Sequence, residues 1–414
     1  QPCYTGTVKF DKIVVYMGRA HMNILVIGNG FDLAHGLPTL YKNFLEFFHG
    51  VKNMPCFSGD INSYKQKFLA EYSDRNSEKV RELLQEVFST RNPRWNPAFP
   101  SAEKEFDDPV VQEIYDNLDK NIWYEYLSKL HKEGKINGIN WIDFESEISH
   151  IIECFDRTEE NLYTKLDKSM MHAKFPNDTN LSLFLNLFDK CNLYGSITYR
   201  NFLDESYEQL RKFVYCMELY LHNYVENRIT TKLSPDIQNT NPNAVLCFNY
   251  THTFVKRYGT IFRDAKIQYI HGETKDADTI ETNNMVLGID EYYKGEERDT
   301  YTNYNIYKKF TQRVINETGF KYREWIHTQN GLQDAYKYVF VFGHSLAVTD
   351  KDILKDLIDR KGVKTTVYYH DKQQQTQQIA NLVKMLGQDK FIQMINSIPQ
   401  QITFVKQQDM ITVV

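Results

Sequence analysis

A short apolar run that ends at a pair of glycines constrains this chain more than any other feature. The run is residues 24–27, and Gly28-Asn29-Gly30 follows it directly. Apolar residues then recur at the spacing of one helix face, at Leu40, Phe44, Leu45 and Phe48. A strand, a glycine turn and a helix in this order can direct backbone N–H groups at a phosphate. The chain is therefore predicted to begin its fold with a nucleotide or phosphate site.

The glycine turn departs from the dinucleotide-binding fingerprint in two respects. Leu33 stands where a third glycine is expected, and no strand ending in an acidic residue follows about 20 residues later. A tight turn between the first strand and helix of any α/β domain would explain the same residues. Spacing alone therefore leaves phosphate binding and a plain turn as alternatives.

Composition excludes several classes of protein. The chain has 414 residues, a net charge of −5 and a pI near 6.2, which argues against a strong nucleic-acid surface. No apolar run approaches the roughly 18 residues of a membrane span. None of the six cysteines forms a Cys-x-x-Cys pair, so no metal site is predicted. We expect a reduced, cytoplasmic protein without structural disulfides.

The periodicity divides the chain into an α/β core and a helical insertion. Helical periodicity runs almost throughout residues 59–240. Short apolar runs bounded by turn residues then return at 244–248, 266–270, 338–342 and 363–369. Strands that alternate with helices favour a mainly parallel, buried sheet. We therefore predict a Rossmann-like α/β core made of residues 22–58 and 241–414, with its ligand at the carboxyl edge of the sheet.

Residues 1–21 fit poorly with the remainder of the chain. Met22 starts the first strand at once, as an initiator methionine would, and His21-Met22 has the look of a cloning junction. The segment is predicted to come from an expression vector. A native edge strand at residues 12–16 is the alternative.

Several motifs along most of the chain resemble a single family. The opening segment GNGFDLAHGLPTLY is similar to the first motif of the AbiH family of bacterial phage-defence, or abortive infection, proteins. Five later stretches fit the same family in order: NWIDFE at 140–145, CFNYTHT at 247–253, YIHGE at 269–273, GID at 288–290 and FGHSL at 342–346. The resemblance implies an antiviral effector with a phage-derived trigger. Whether it works as a homo-oligomer is left open.

The strand-end motifs also resemble, in their order, the sirtuin fold and its defence-associated relatives. That resemblance implies NAD as the small-molecule nucleotide bound. It implies Asn249 and His271 as the catalytic pair. For NAD binding it implies the glycine-turn residues Gly28, Asn29, Gly30, Phe31 and Asp32, the downstream Pro38, and the adenosine-side residues Gly343 and Ser345. Sirtuins carry a four-cysteine zinc module that this chain lacks, and Asp32 stands where a small residue is usual. Hydrolysis of NAD to ADP-ribose and nicotinamide is therefore implied in preference to protein deacetylation.

The residue types suit that chemistry. Breaking the nicotinamide–ribose bond develops oxocarbenium character, the Asn249 amide can position water, and a neutral His271 can accept a proton near pH 7. Each residue also has a plainer explanation. A strand-end histidine often bonds to backbone, and an asparagine there often forms a turn.

Other functions stay open from the sequence. Gly343–Ala347 resembles a nucleophile elbow, which would make Ser345 a nucleophile with His370 and one of Asp352, Asp356 or Asp359. A metal-dependent nuclease would gather His252, His271, Asp290 and His344. A nucleotide-sensing or scaffold module would bind without turnover.

Asp143 and Glu145 form a further candidate pair near the start of a helix. Residues two apart on a helix do not share a face, so they are not predicted to be an acid–base dyad. Acidic side chains favoured by the helix dipole are the preferred interpretation. The alternative is that one of the two reaches the pocket from the insertion.

Overall fold

The computed structural model of the protein describes residues 22–53, 75–89, 106, 108–136, 141–159, 161–190, 197–228, 231–276, 279–326 and 336–412. The predictions for residues 1–21, both the vector origin and the edge strand, lie outside these residues.

Six parallel strands form the central sheet. They are β1 (Met22–Ile27), β3 (Ala244–Cys247), β4 (Lys266–Tyr269), β5 (Tyr336–Phe342), β6 (Lys364–Tyr369) and β7 (Ile402–Lys406), in the order β4-β3-β1-β5-β6-β7. A separate antiparallel pair joins β2 (Lys232–Leu233) to β8 (Ile411–Thr412). Numbered among themselves, the six strands have the order 3-2-1-4-5-6 of doubly wound nucleotide-binding folds. The predicted Rossmann-like α/β fold with a parallel sheet is confirmed.

The central strands are apolar because helices cover both faces of the sheet. Residues 24–27 of β1 and 244–247 of β3 are all buried, and Ile24 lies opposite Ala244 and Val339 in the register. The edge strand β7 was not predicted. Its sequence, ITFVK, buries only Ile402 and carries a partly exposed outer half, so it lacks a continuous apolar run.

Helices make up most of the remaining described chain. The α-helices before β3 are Asn29–Ala34, Tyr41–Asn53, Arg75–Ser89, Pro109–Leu118, Ile122–Lys132, Trp141–Thr158, Lys168–Lys174, Thr179–Lys190, Tyr199–Tyr220 and Pro235–Thr240. Those after β3 are Thr253–Tyr258, Glu297–Thr300, Lys309–Ile315, Tyr322–Ile326, Lys351–Ile358, Lys372–Leu386 and Gln388–Asn396. None of the described helices is both long enough and apolar enough to cross a bilayer.

The longest of these helices shows how the insertion is built. Tyr199–Tyr220 begins at a capping box in which Thr198 and Asn201 bond reciprocally, and it continues as one π-helical turn, Leu221–Val225. Its apolar face packs against Tyr41–Asn53 and the other helices in one aromatic-rich core, where Phe155 stacks on Phe202. The division into residues 22–58, 59–240 and 241–414 stays a prediction. The described helices from Arg75–Ser89 to Tyr199–Tyr220 share this core with helix Tyr41–Asn53.

Candidate active site

A partly open cavity of about 210 Å³ lies at the carboxyl edge of the sheet, where the strand order reverses between β1 and β5. Ligands of open α/β folds bind at this switch point. The sheet side supplies Asn29, Gly30, Asp32, Phe248, Asn249, His271, Gly343, His344, Ser345 and Asp350, among others. Glu145 and Leu221 come from the helices between β1 and β3. Those helices therefore form part of the cavity wall.

The two glycine turns touch each other at this point. The Gly30 N–H donates to the Gly343 carbonyl at 2.8 Å, and the Phe31 N–H donates to the Gly28 carbonyl at 2.8 Å. A Cβ at Gly30 would lie 2.8 Å from the Gly343 Cα, and Gly343 has φ +68°. The glycines thus allow the turns after β1 and β5 to pack together. Two N–H groups of the kind predicted to face a phosphate are already bonded within the protein.

Most of the predicted site residues surround this cavity. Asn29, Gly30, Asp32, Asn249, His271, Gly343 and Ser345 all line it, although 316 positions separate the first from the last. Three predicted residues do not line it. Phe31 is buried in the apolar core, the Pro38 carbonyl accepts a hydrogen bond from the Tyr220 hydroxyl, and Gly28 packs against the His344 backbone.

A chain of buried charges crosses one wall of the cavity. Lys309 Nζ lies 2.8 Å from Glu145 Oε1 and 3.2 Å from Asp350 Oδ1. Asp350 Oδ1 also lies 3.0 Å from His271 Nε2. Each of these four residues is at most 6% exposed, so water screens the interactions between their side chains only weakly. Glu145 reaches the cavity from its helix, as the alternative to a helix-start acid favoured by the dipole had it.

Burial and pairing set the ionisation of this chain of charges. Burial raises the pKa of Asp350, but Lys309 and His271 outweigh it and hold that pKa well below its usual range. Burial raises the pKa of Glu145 to about 7 against the opposing effect of Lys309. Burial lowers the pKa of His271 despite the neighbouring Asp350 carboxylate. Near neutral pH the cluster is a charged Lys309–Asp350 pair beside a neutral His271.

Two side chains in this cavity have polar atoms without a hydrogen-bond partner among the described residues. The neutral His271 donates its Nε2 proton to Asp350, and its Nδ1 has no hydrogen-bond partner among the described residues. Both polar atoms of the Asn249 amide also lack a partner at hydrogen-bonding geometry within the described chain. Buried polar atoms are nearly always paired, so unpaired ones call for a ligand or water. His271 Nδ1 is an acceptor, and Asn249 offers both a donor and an acceptor.

His344 is held in one tautomer behind His271. Its Nδ1 accepts the Leu346 N–H at 2.9 Å, which leaves the proton on Nε2, 3.7 Å from Asp350 Oδ2. Burial lowers the pKa of His344 to about 4, and its ring meets Phe248 edge-on. His344 is therefore neutral and lies near Asp350 without a hydrogen bond to it, so Asp350 faces two imidazoles and one ammonium.

Asp32 forms a more neutral part of the cavity wall. Its Oδ2 accepts a hydrogen bond of 2.6 Å from the Thr251 hydroxyl. Burial raises the pKa of Asp32 to about 7, against the lowering effect of the Thr251 and Thr253 hydroxyls and the Asn249 amide. Asp32 is therefore partly protonated near neutral pH, and it can both donate and accept.

A second charged cluster lies beside the cavity without lining it. His252 Nδ1 is 3.1 Å from Glu226 Oε1, and its Nε2 is 3.0 Å from Glu273 Oε2. Lys256 Nζ adds a contact of 2.7 Å to Glu226. The hydrogen bonds from Glu226 and Glu273 raise the pKa of His252 to about 9. Burial raises the pKa of Glu226, but its bonds to His252, Lys256 and Thr274 lower it to about 2.

The structure separates the groups that the alternative functions would need. His370 is exposed and bonds Asp371, while Asp352, Asp356 and Asp359 pair with Arg313, Arg360 and Lys390. These pairings do not assemble a serine-hydrolase triad with Ser345. Of the four residues suggested for a metal-dependent nuclease, His271 and His344 line the cavity, His252 lies in its own cluster, and Asp290 pairs with Lys351.

Sequence reasoning missed the residues that organise the histidine. Lys309 is the first residue of helix Lys309–Ile315, and Asp350 ends a single 3₁₀ turn. Neither belongs to a motif that the sequence analysis identified. Thr349 and Gln374, which also line the cavity, were not proposed either. The one available signal was the position of Asp350 five residues after Ser345, just beyond a strand-end motif.

Comparison with known proteins identifies a family and no closer relative. A family model described as bacteriophage abortive infection AbiH matches residues 24–371. No curated protein matches the chain, and no solved structure does. The matched residues include the glycine turns after β1 and β5 and the buried charged residues of the cavity, which are Glu145, His271, Lys309 and Asp350.

Proposed function

Since the chain belongs to the AbiH family of bacteriophage abortive infection proteins, we propose that it is a cytoplasmic defence effector that binds NAD and hydrolyses its nicotinamide–ribose bond. The observation that carries this proposal is the Asp350–His271 pair. His271 Nδ1 has no hydrogen-bond partner among the described residues, and it lies in the same cavity as the unpaired Asn249 amide. A carboxylate that accepts the Nε2 proton leaves Nδ1 as the basic atom of the ring.

The charge of the cavity favours a cationic glycosyl group. Lys309 is the one Lys or Arg among the described lining residues, and Glu145 and Asp350 already neutralise it. Asp32 and Glu145 add further acidic groups. Preorganised negative charge stabilises a positive charge that develops in a transition state. The nicotinamide ring of NAD is cationic, and the ribosyl group becomes oxocarbenium-like as the bond breaks.

The size of the cavity suits one half of a dinucleotide. Pockets for whole drug-sized ligands usually span about 300–1,000 Å³. The cavity here has about 210 Å³. We therefore place the nicotinamide riboside half inside and the diphosphate toward the open side, near the turns after β1 and β5.

The proposed reaction consumes one water and needs no other reactant. The C–N bond breaks with its electron pair going to nicotinamide, which leaves as a neutral molecule. Asn249 holds the water, and the water oxygen bonds to the anomeric carbon while His271 Nδ1 takes its proton. Asp350 stabilises the imidazolium that forms, and the proton then passes to solvent. General-base help of this kind contributes roughly 10²–10⁴-fold.

The direct test is chromatography of NAD after incubation with the purified protein. We expect ADP-ribose and nicotinamide to appear in equal amounts. His271→Ala should abolish turnover while leaving NAD affinity largely intact, because it removes a proton acceptor and no phosphate contact. His252→Ala is the matched control, since His252 does not line the cavity. If NAD stays intact under every activating condition, including phage infection, the hydrolase proposal is wrong.

Binding is measured separately from turnover by calorimetry with NAD and the His271→Ala protein. NAD that binds without turnover in the unmodified protein would support the nucleotide-sensing alternative. A protein that neither binds nor cleaves NAD would leave only the family assignment standing.

A further inference from the structure

Three metal-binding side chains converge on the helices between β1 and β3, away from the cavity. They are His150 and Cys154 on helix Trp141–Thr158 and Asp178, which precedes helix Thr179–Lys190. One ligand atom from each lies within 4.8 Å of the other two, and no other such group of three occurs in the described chain. None of the three lines the cavity or contributes to the proposed reaction.

The backbone fixes where each ligand atom lies. His150 and Cys154 are four residues apart, so they project from the same face of one helix. Asp178 Oδ1 accepts the Leu181 N–H at 2.9 Å, and Asp178 Oδ2 lies 2.8 Å from His150 Nε2. The Cys154 side chain is buried beneath them, while His150 and Asp178 stay partly exposed. A cation can therefore enter from the solvent side.

The donor set selects the type of metal. Imidazole, thiolate and carboxylate together suit Zn²⁺, whose bonds to these groups are about 2.0–2.3 Å long in a tetrahedron. Ligand atoms in such a tetrahedron lie roughly 3.3–3.8 Å apart, so separations of up to 4.8 Å close with small side-chain rotations. Calcium and magnesium prefer oxygen ligands and would not use the cysteine.

We propose that His150, Cys154 and Asp178 bind one Zn²⁺ ion, with water in the fourth position. The ion takes the place of the hydrogen bond between His150 and Asp178, and the Cys154 thiol proton is released to solvent. The site ties helix Trp141–Thr158 to helix Thr179–Lys190. Helix Trp141–Thr158 also carries Glu145 into the cavity, so zinc would brace one wall of that cavity. The sequence analysis predicted no metal because the third ligand lies 24 residues beyond the second.

Metal titration of the full chain tests this proposal without any activity assay. The protein is first dialysed against a chelator, and zinc uptake is then measured by competition with a chromophoric chelator. We expect one equivalent of Zn²⁺. Co²⁺ in the same site should give a sulfur-to-cobalt charge-transfer absorption in the near ultraviolet, which reports the Cys154 bond directly.

Three variants and one control separate ligation from folding. Cys154→Ser should abolish the charge-transfer band, and His150→Gln should weaken zinc binding by more than roughly 100-fold, since even outer-shell changes cost 10–100-fold. Asp178→Asn keeps the helix cap, because Asn caps as well as Asp, and should also weaken binding. Cys216→Ser removes a buried cysteine outside the group and should leave one equivalent bound. Uptake below one equivalent in the unmodified protein, or a cobalt band that survives in Cys154→Ser, would overturn the proposal.

Discussion

Two histidines at neighbouring strand ends face carboxylates and behave in opposite ways. His271 follows β4 inside the cavity, and His252 follows β3 just outside it. His271 has one carboxylate partner, one free nitrogen and a lowered pKa. His252 has a carboxylate on each nitrogen and a pKa raised to about 9. The number of carboxylates and the depth of burial decide which ring stays neutral.

The difference separates a ring that can accept a proton from a ring that is a structural cation. A ring that is charged near pH 7 and bonded at both nitrogens cannot accept a proton, so His252 holds Glu226 and Glu273 together. A neutral ring with one unpaired nitrogen can accept one. Lys309 contributes to this contrast, since its charge lowers the pKa of His271 and that of Asp350.

The largest expected effect comes from removing that lysine. Lys309→Met leaves Glu145 and Asp350 buried without their cation, and breaking a buried ion pair in this way costs about 3–5 kcal/mol. Urea unfolding of the variant and the unmodified protein measures the difference in free energy. If the free energy of unfolding falls by less than about 1 kcal/mol, Glu145 and Asp350 have other partners in the variant. The cavity residues would then not differ from the second charged cluster beside the cavity.

Asp350→Asn should lower the rate of catalysis and shift its pH dependence. We expect the rate of NAD hydrolysis to fall roughly 10²-fold or more, because His271 loses the carboxylate that stabilises its protonated form. Asp350 raises the pKa of His271, so the acid limb of the rate profile should also move to lower pH. His252→Gln is the comparison, and it should leave both rate and profile unchanged. A lower rate with an unmoved profile would assign Asp350 a structural role only.

The pH dependence of stability should have opposite signs at the two histidines. The folded pKa of His252 is about 9 against an ordinary 6.5, so its contribution is complete below pH 6.5 and is lost as pH rises through 9. Between those values the free energy of unfolding should fall by roughly 3 kcal/mol, and His252→Gln should remove that fall.

His271 should act at lower pH and in the other direction. Its folded pKa is below 6.5, so the unfolded state binds more protons there and stability rises with pH up to about 6.5. His271→Gln should flatten that acid region while leaving the alkaline fall intact. Thermal unfolding between pH 5 and 10 for both variants measures the two slopes. Identical profiles for the two variants would contradict the assignment.

The smallest effect is expected at the partly exposed Lys256, in the second charged cluster beside the cavity. Lys256 contacts Glu226, but solvent reaches 40% of its side chain. Lys256→Met should therefore change stability by only about 0–1 kcal/mol. This variant is the matched control for Lys309→Met, and equal losses from the two would show that burial does not distinguish the clusters.

Features set by neighbouring residues could be predicted from the sequence, whereas contacts between residues far apart in the sequence could not. The apolar runs of β1 and β3 and the glycine turns after β1 and β5 are local patterns, so the fold class followed from them. Asn249, His271, Gly343 and Ser345 were instead predicted from the resemblance to known families. Lys309 and Asp350 matter because they contact Glu145 and His271 in the folded protein. No short sequence motif predicts those contacts. Phe31 was assigned to ligand binding from its place in a motif, yet its ring is in the core because it lies on the inner face of a short helix.

The strand order has a consequence for how the chain is made. β1 lies between β3 and β5, and Ile24 pairs with Ala244, 220 residues later. At synthesis rates of about 5–20 residues per second, β1 leaves the ribosome roughly 10–45 s before its first partner strand exists. Asp350 emerges later still. A fragment released before residue 271 therefore carries the glycine turn after β1 but lacks His271 and Asp350, and only a chain longer than 350 residues can assemble this cavity.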